Sequence, residues 1–381
     1  MPWTPPPSQA AYYSLPSPAS THPLHRQLLH LAPDSDPTWG RANLPRAPDE
    51  QRVRETYGAR DGRVYLNGSK KEWVAYQVWE PKKGAERGVD LVWCHGINDY
   101  GGKFAVHAET FLDAGYRVII PDLPSHGRST GIHVYIPKVE ALADAVYEVI
   151  KDVMLQDSQL AAENGGGGGG GKVTQQRKVF VAGQSLGGFT ATYTCLKYGT
   201  PRATSLTPAT GHSTASFEPA LSGGLLLCPM LAISPESRPS LAVELVARAI
   251  AGVAGPLPFA EANKGKNTED PSVEEEFNAD PQTYHGKLRI ATGLAILRAL
   301  EEVNSKMEHL RIPFLLCHGT ADRVTSPSGS SLLHTRAEST DKTLRLYEGF
   351  EHILLRKGRD EADDERRQRV LGEMRGWLEA H

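Results

Sequence analysis

Two serines in the chain carry the pattern Gly-x-Ser-x-Gly: Ser129 in Gly127-Arg128-Ser129-Thr130-Gly131, and Ser185 in Gly183-Gln184-Ser185-Leu186-Gly187. A serine hydroxyl is a weak nucleophile until a base takes its proton and an acid orients that base. Context separates the two copies. Ser185 follows the β-prone run 178–182 and opens a helical stretch, 186–198. Strand, sharp turn and helix are the setting of a nucleophile elbow. The helix N-terminus then aims amides and the positive end of its dipole at developing negative charge. Ser129 leads into Ile132-His133-Val134-Tyr135 with no helix directly after it, and reads as a loop residue.

On an elbow of this kind the partners follow in the chain order serine, acid, histidine. Asp322 lies just past the apolar run 314–318, in Gly319-Thr320-Ala321-Asp322. His352 lies just past the run 342–347, in Gly349-Phe350-Glu351-His352. Both positions fall at C-terminal strand ends, where open α/β sheets bind ligands. His318 and His285 are competing bases. His318 precedes the acid loop and reads as structural, and His285 belongs to an inserted segment. An oxyanion hole needs two backbone N–H groups. Leu186, next to the nucleophile, supplies one. Ile97, in the loop His95-Gly96-Ile97-Asn98-Asp99 after the run 90–94, supplies the other.

Elements able to hold these residues follow from the pattern of apolar runs. Two β-prone runs, 63–66 and 73–79, flank Asn67-Gly68 and predict an antiparallel hairpin. Beyond it, strand runs at 90–93, 117–121, 178–182, 224–228, 314–318 and 342–347 alternate with helical stretches, among them 138–154. That alternation predicts a mostly parallel central sheet with helices on both faces, and the Ser185 elbow with its serine, acid, histidine order makes this an α/β-hydrolase type of fold. The chain divides into a proline-rich arm over 1–50, core over 51–229 and 311–381, and an insertion over 230–310. The arm carries 11 of the 27 prolines within residues 1–48 and reads as disordered or loosely laid over the body. The glycine run within 164–177 and the long 200–222 loop read as surface additions. In the insertion, the helix over 240–255 is apolar almost all round. It has to be covered by protein, substrate or lipid, as a lid over an active site would be.

Composition narrows the function further. The formal charge is −3 and the sequence pI about 6.5, so no basic field points to nucleic acid. Cys94, Cys195, Cys228 and Cys317 form no CxxC pair and read as small apolar fillers in a reducing compartment, with no metal site and no cofactor. No basic and apolar leader opens the chain, and no apolar stretch reaches the length of a membrane span. A cytoplasmic protein is expected, with the apolar insertion helix free to touch a membrane or lipid droplet.

With these residues in place, the chain resembles monoacylglycerol lipases of the serine aminopeptidase S33 group over residues 60–381. The resemblance rests on the His95-Gly96 loop, Pro121-Asp122-Leu123-Pro124-Ser125-His126-Gly127-Arg128-Ser129 and the Ser185 elbow. It extends over Phe277-Asn278-Ala279-Asp280-Pro281, Asp322, Tyr347-Glu348-Gly349 and His352. It implies a helical cap, residues 230–310, over an acyl channel. It also implies cofactor-free hydrolysis of monoacylglycerol to glycerol and fatty acid. Asp99 and Lys103 stand where that group carries an acidic residue and an arginine at its head-group end, and Val246 and Ile250 of the cap helix are expected to face the acyl chain. Ile97 replaces a usually small residue, and Leu355 a polar one. A lysophospholipase or general carboxylesterase would use the same triad. An aminopeptidase fits less well, for want of an acidic cluster to hold an α-amino group. A non-catalytic binding protein on the same fold is the distant alternative.

Overall fold

The computed structural model describes every residue except 1, 19–21, 33–34, 67, 69, 165–176, 200–217, 262–264 and 359. The turn at Asn67, the glycine run and most of the 200–222 loop therefore lie outside the described residues. Among those described, the strands in chain order are β1 (Ala59–Tyr65), β2 (Trp73–Trp79), β3 (Val89–Cys94), β4 (Arg117–Pro121) and β5 (Lys178–Gln184). They continue with β6 (Gly223–Leu227), β7 (Pro258–Ala260), β8 (Leu288–Arg289), β9 (Phe314–Gly319) and β10 (Lys342–Tyr347). Eight of them form one sheet in the order β1-β2-β4-β3-β5-β6-β9-β10, and β7 pairs with β8 separately. β2 runs antiparallel to both β1 and β4, and every other pairing in the large sheet is parallel.

Strand side chains alternate between two cores, one on each face. In β4, Ile119 enters one core while Val118 and Ile120 enter the other. In β5, Val179 and Val181 join Ile119, whereas Phe180 and Ala182 join the opposite side. Burial on both faces is why these strands read as continuous apolar runs. The first core is closed by the helices Ala141–Asn164, Leu186–Tyr198 and Ile290–Asn304. The second is closed by Pro48–Tyr57, Ala105–Asp113 and Glu361–Ala380. The helix read over 138–154 begins at Ala141 and runs on to Asn164.

The insertion between β6 and β9 holds the helices Leu241–Ala254 and Pro271–Ala279 and the β7–β8 pair. Its last helix, Ile290–Asn304, is shared. Ile290 and Leu294 pack with Ala247 of the insertion, while Ala295, Ala299 and Val303 belong to the main core. The boundary expected at 310 therefore falls inside the hydrophobic core. Leu241–Ala254 is covered on one side only. Ala247 is its sole buried residue, and Leu241, Leu245 and Val253 are strongly exposed.

The described part of the N-terminal arm is not disordered. Arg41 is buried and gives its guanidinium hydrogens to the carbonyls of Gly127, Ser129 and Gly131. Arg128 answers with bonds to the carbonyls of Ala42 and Leu44. Proline costs a segment its amide donors, but charged side chains can bond loop carbonyls without them, and these do. The Pro48–Tyr57 helix runs across the boundary expected at residue 50.

Candidate active site

β5 ends in a turn so tight that Ser185 takes φ 58°, ψ −120°, a conformation that a non-glycine residue adopts only under constraint. The two flanking glycines explain how the turn closes. A Cβ on Gly187 would stand 2.0 Å from the Cys94 carbonyl oxygen, and one on Gly183 would stand 2.4 Å from the Gly187 carbonyl oxygen. Ser185 is anchored by its own amide on the Leu227 carbonyl, at 3.0 Å, and by the Met230 amide on its carbonyl, at 3.1 Å. Leu186–Tyr198 then starts directly behind it.

Asp322 and His352 are brought together as their strand ends suggested. The His352 Nδ1 lies 2.8 Å from Asp322 Oδ2. The other oxygen, Oδ1, accepts the amides of Val324 at 2.7 Å and Thr325 at 2.9 Å. Burial acts to raise the pKa of Asp322, but His352 and His318 outweigh it and hold this carboxyl well below the usual carboxylate range. The carboxylate is thus kept ionised and acceptor-only, which makes Nδ1 the protonated nitrogen of His352. The serine and histidine loops are also tied directly, because the Gln184 amide donates to the His352 carbonyl at 3.2 Å.

His318 is fully buried behind this pair. Its Nε2 lies 3.2 Å from Asp322 Oδ2, and its Nδ1 lies 2.7 Å from the Ser330 hydroxyl. It braces the acid and does not line the cavity. Cys228, His318 and Asp322 also form, among the described residues, a cluster compact enough for a metal. Its polar atoms are already committed: His318 to Asp322 and Ser330, and Asp322 to five donors in all. Burial and the Asp322 charge push the Cys228 thiol pKa up, away from the thiolate a metal would need. His285 does line the cavity, but its Nε2 is engaged with Thr283 and the Asp280 carbonyl. Ser129 is buried, accepting from the Ala75 amide and donating to the Asp122 carbonyl. It serves as a loop brace.

The loop after β3 faces the serine. A Cβ on Gly96 would lie 3.9 Å from the Ser185 Cβ, so backbone passes close to the nucleophile here. His95 holds that loop. Its Nδ1 donates to the Gly96 carbonyl at 2.8 Å, its Nε2 accepts the Leu123 amide at 2.9 Å, and burial lowers its pKa to about 4. Asp122 adds a second tie, accepting the amides of Gly101 and Arg128, each at 2.8 Å.

Ser185, His352, Ile97, Asp99 and Lys103 all open onto one cavity of about 990 Å³. The insertion lines it with an apolar group, Met230, Val243, Ala247, Leu294 and Leu297, and with charged side chains such as Glu244, Lys266 and Glu276. The cap-helix expectation is corrected here. Val243 and Ala247 face the cavity, whereas Val246 is 51% exposed and Ile250 packs with Ile290 and Leu294. At 3.6 residues per turn the stripe through 243 and 247 turns Val246 outward, against the hydropathy pattern, in which the charged Glu244 and Arg248 lie nearly opposite Val246. Burial raises the Asp99 carboxyl to about 7, against the pull of Lys103. Lys103 reaches Asp280 Oδ2 at 3.1 Å. Asp280 stands in the stretch 277–281 that carries the resemblance, but a single acid in an insertion signals no role by its spacing. In the structure it also accepts from Tyr12 and Tyr100.

Comparisons with known proteins fit this geometry. Residues 86–358 match the family described as serine aminopeptidase, S33. The caffeoylshikimate esterase of Arabidopsis thaliana is 29% identical over 337 residues, covering 87% of this chain and 89% of that protein. The monoacylglycerol lipase of Mycolicibacterium smegmatis is 26% identical, covering 81% and 93% respectively. Among solved structures, a soluble variant of the Saccharomyces cerevisiae monoglyceride lipase, in complex with a substrate analog, superposes with TM-score 0.57 at 17% identity. The superposition covers 84% of this chain and 94% of that one. At that identity the likeness speaks for the fold alone. With a match over most of its length, the chain belongs to the serine aminopeptidase S33 family and is an α/β-hydrolase of the monoglyceride lipase-like, ester-hydrolysing kind.

Proposed function

We propose that the protein hydrolyses a carboxylic ester of a lipid through a Ser185–His352–Asp322 triad. One observation carries this reading. A serine held at φ 58° before a helix shares a cavity with a histidine whose Nδ1 is committed to a buried carboxylate. With Nδ1 bonded to Asp322, the Nε2 lone pair is the one left for the serine proton. Ser185 Oγ attacks the ester carbonyl as His352 takes that proton. The Ile97 and Leu186 amides hold the oxyanion, each donor contributing about 10²–10³ in rate. His352 then protonates the departing alcohol, and water releases the acid by the same route.

Monoacylglycerol is the substrate this reading favours, split to glycerol and fatty acid. The apolar lining beneath the insertion suits an acyl chain, and Asp99 and Lys103 suit hydroxyl groups. The exposed apolar side of Leu241–Ala254 supports contact with a membrane or droplet surface. Among the described residues, no helix is long and apolar enough to cross a membrane. The Arabidopsis relative favours a second reading, in which the ester is an aromatic one of the kind its name describes. The test is a direct comparison of kcat/KM on a monoacylglycerol, a lysophospholipid, caffeoylshikimate and a short p-nitrophenyl ester. Fluorophosphonate labelling of wild type and Ser185→Ala accompanies it. Labelling lost in the mutant and highest turnover on monoacylglycerol are expected. Labelling that survives Ser185→Ala overturns the nucleophile, and preference for caffeoylshikimate selects the second reading.

A further inference from the structure

Residues of the N-terminal arm, among them Trp3, Gln9 and Tyr13, line the same cavity as Ser185 and His352. The arm lies outside the stretch that matches the S33 family, which starts at residue 86. Its docking is specific. The Tyr12 hydroxyl donates to Asp280 Oδ1 at 2.8 Å and accepts from the Gln282 amide at 2.7 Å, and the Trp3 amide donates to Glu275 at 2.6 Å. Asp280, Gln282 and Glu275 all belong to the insertion, so the arm and the insertion close the cavity together.

The arm contributes two aromatic rings to the cavity lining. Trp3 and Tyr13 meet edge to face at 4.9 Å, and both are half-buried. Asp49, Lys103, Glu276 and Asp280 are the charged groups around the Tyr13 phenol. Met230, Val243, Ala247 and Leu294 form an aliphatic part of the same lining. An ester laid across these two parts would put its acyl chain against the aliphatic part and its alcohol against rings and charges. Rings pack against the C–H faces of a polyol, while carboxylates and ammonium groups satisfy its hydroxyls.

We propose that Trp3 and Tyr13 are specificity-determining residues that hold the alcohol half of the ester, and that this alcohol carries several hydroxyl groups. The proposal rests on the ester-hydrolase reading of Ser185. Rings packed across a bound alcohol make a binding contribution that is present before the chemical step, so their loss acts on KM more than on kcat.

The experiment compares two esters that share an acyl chain and differ in the alcohol, 1-monooleoylglycerol and ethyl oleate. The proteins are wild type, Trp3→Ala, Tyr13→Ala, Trp3→Phe and Ser185→Ala. For the glyceryl ester, each of Trp3→Ala and Tyr13→Ala raises KM by about three- to tenfold, with kcat nearly unchanged. Ethyl oleate kinetics stay at the wild-type level, and Trp3→Phe recovers most of the loss. An alanine variant that has merely lost structure is impaired on both esters alike, leaving their KM ratio where it was. An unchanged ratio, from that cause or from no effect at all, overturns the proposal. Ser185→Ala separates the two levels. If it still turns over both esters, the assignment of Ser185 as nucleophile fails. If it is silent while Trp3→Ala keeps the wild-type ratio, only the role of the arm fails.

Discussion

The Tyr12 hydroxyl donates to the Asp280 carboxylate at 2.8 Å, joining positions 268 residues apart. Asp280 is almost fully buried and also receives the Tyr100 hydroxyl at 3.0 Å and the Lys103 ammonium at 3.1 Å. One carboxylate thereby pins the arm, the insertion and the loop beside the candidate oxyanion site. Burial opposes the charge on Lys103, but Asp280 and Glu276 outweigh it and raise its pKa.

Removing one donor from this hub should cost less than removing the acceptor. Tyr12→Phe keeps the packing and should lower stability by about 1 kcal/mol. Asp280→Ala strands Lys103 and two phenols and should cost about 2–4 kcal/mol, somewhat discounted because Lys103 is partly exposed. Urea denaturation of both variants measures this, and equal losses would show that Asp280 is not the hub.

The strained φ of Ser185 makes a prediction separate from catalysis. Ser185→Gly and Ser185→Ala should both lose turnover by at least about 10³-fold. Glycine accepts φ 58° without steric cost, whereas alanine does not. The native strain is of the order of 1–3 kcal/mol, so the glycine variant should melt higher than the alanine variant despite its looser unfolded chain. Calorimetry on the pair decides it, and a higher melting point for alanine would mean the turn stores no strain.

The depressed Asp322 carboxyl couples stability to pH. A group whose folded pKa lies below its unfolded value stabilises the protein above that unfolded value, about 4 for aspartate. That contribution disappears as pH falls through the lower folded value. Wild-type stability should therefore drop on acidification below about pH 4, and the drop should be shallower in Asp322→Asn. The same variant should lose about 10⁴ in kcat at neutral pH, because its amide no longer holds the His352 tautomer. Denaturation midpoints at several acid pH values, compared with those at pH 7, check the first statement. A stopped assay checks the second.

The rotation of the insertion helix can be tested by one residue on each side. Ala247→Phe intrudes on the cavity and should reduce turnover of long-chain esters several-fold more than that of short soluble esters. Val246→Asp lies on the exposed side and should change stability by no more than about 0.5 kcal/mol and leave soluble-ester kinetics alone. A chain-length selective defect in Val246→Asp on soluble esters would reverse the assigned face.

What the residues determined unaided is the strand–helix alternation and the neighbourhood of the candidate site. Val118-Ile119-Ile120 signals a strand buried on both faces whatever its partners are, because period-two contact on both sides leaves no polar position. Gly183 and Gly187 likewise announce a tight turn locally, since only a missing Cβ permits the approach to the Cys94 and Gly187 carbonyls. The placement of Asp322 and His352 after adjacent strands followed from the same alternation, because parallel strands end on a common edge.

Tertiary structure alone decided the contacts that close over that edge. Whether Val243 or Val246 faces the cavity depends on where Ile290 and Leu294 dock, and that docking overrides a hydropathy pattern which, with Glu244 and Arg248 on the other side of the helix, favours Val246. The docking of the arm depends on Arg41 finding three carbonyls about ninety positions away, and on Tyr12 finding Asp280. Proline-rich composition describes the backbone donors a segment lacks. It holds no information about which distant acceptors its few charged and phenolic side chains will meet, and here those distant pairings placed Trp3 and Tyr13 on the cavity wall.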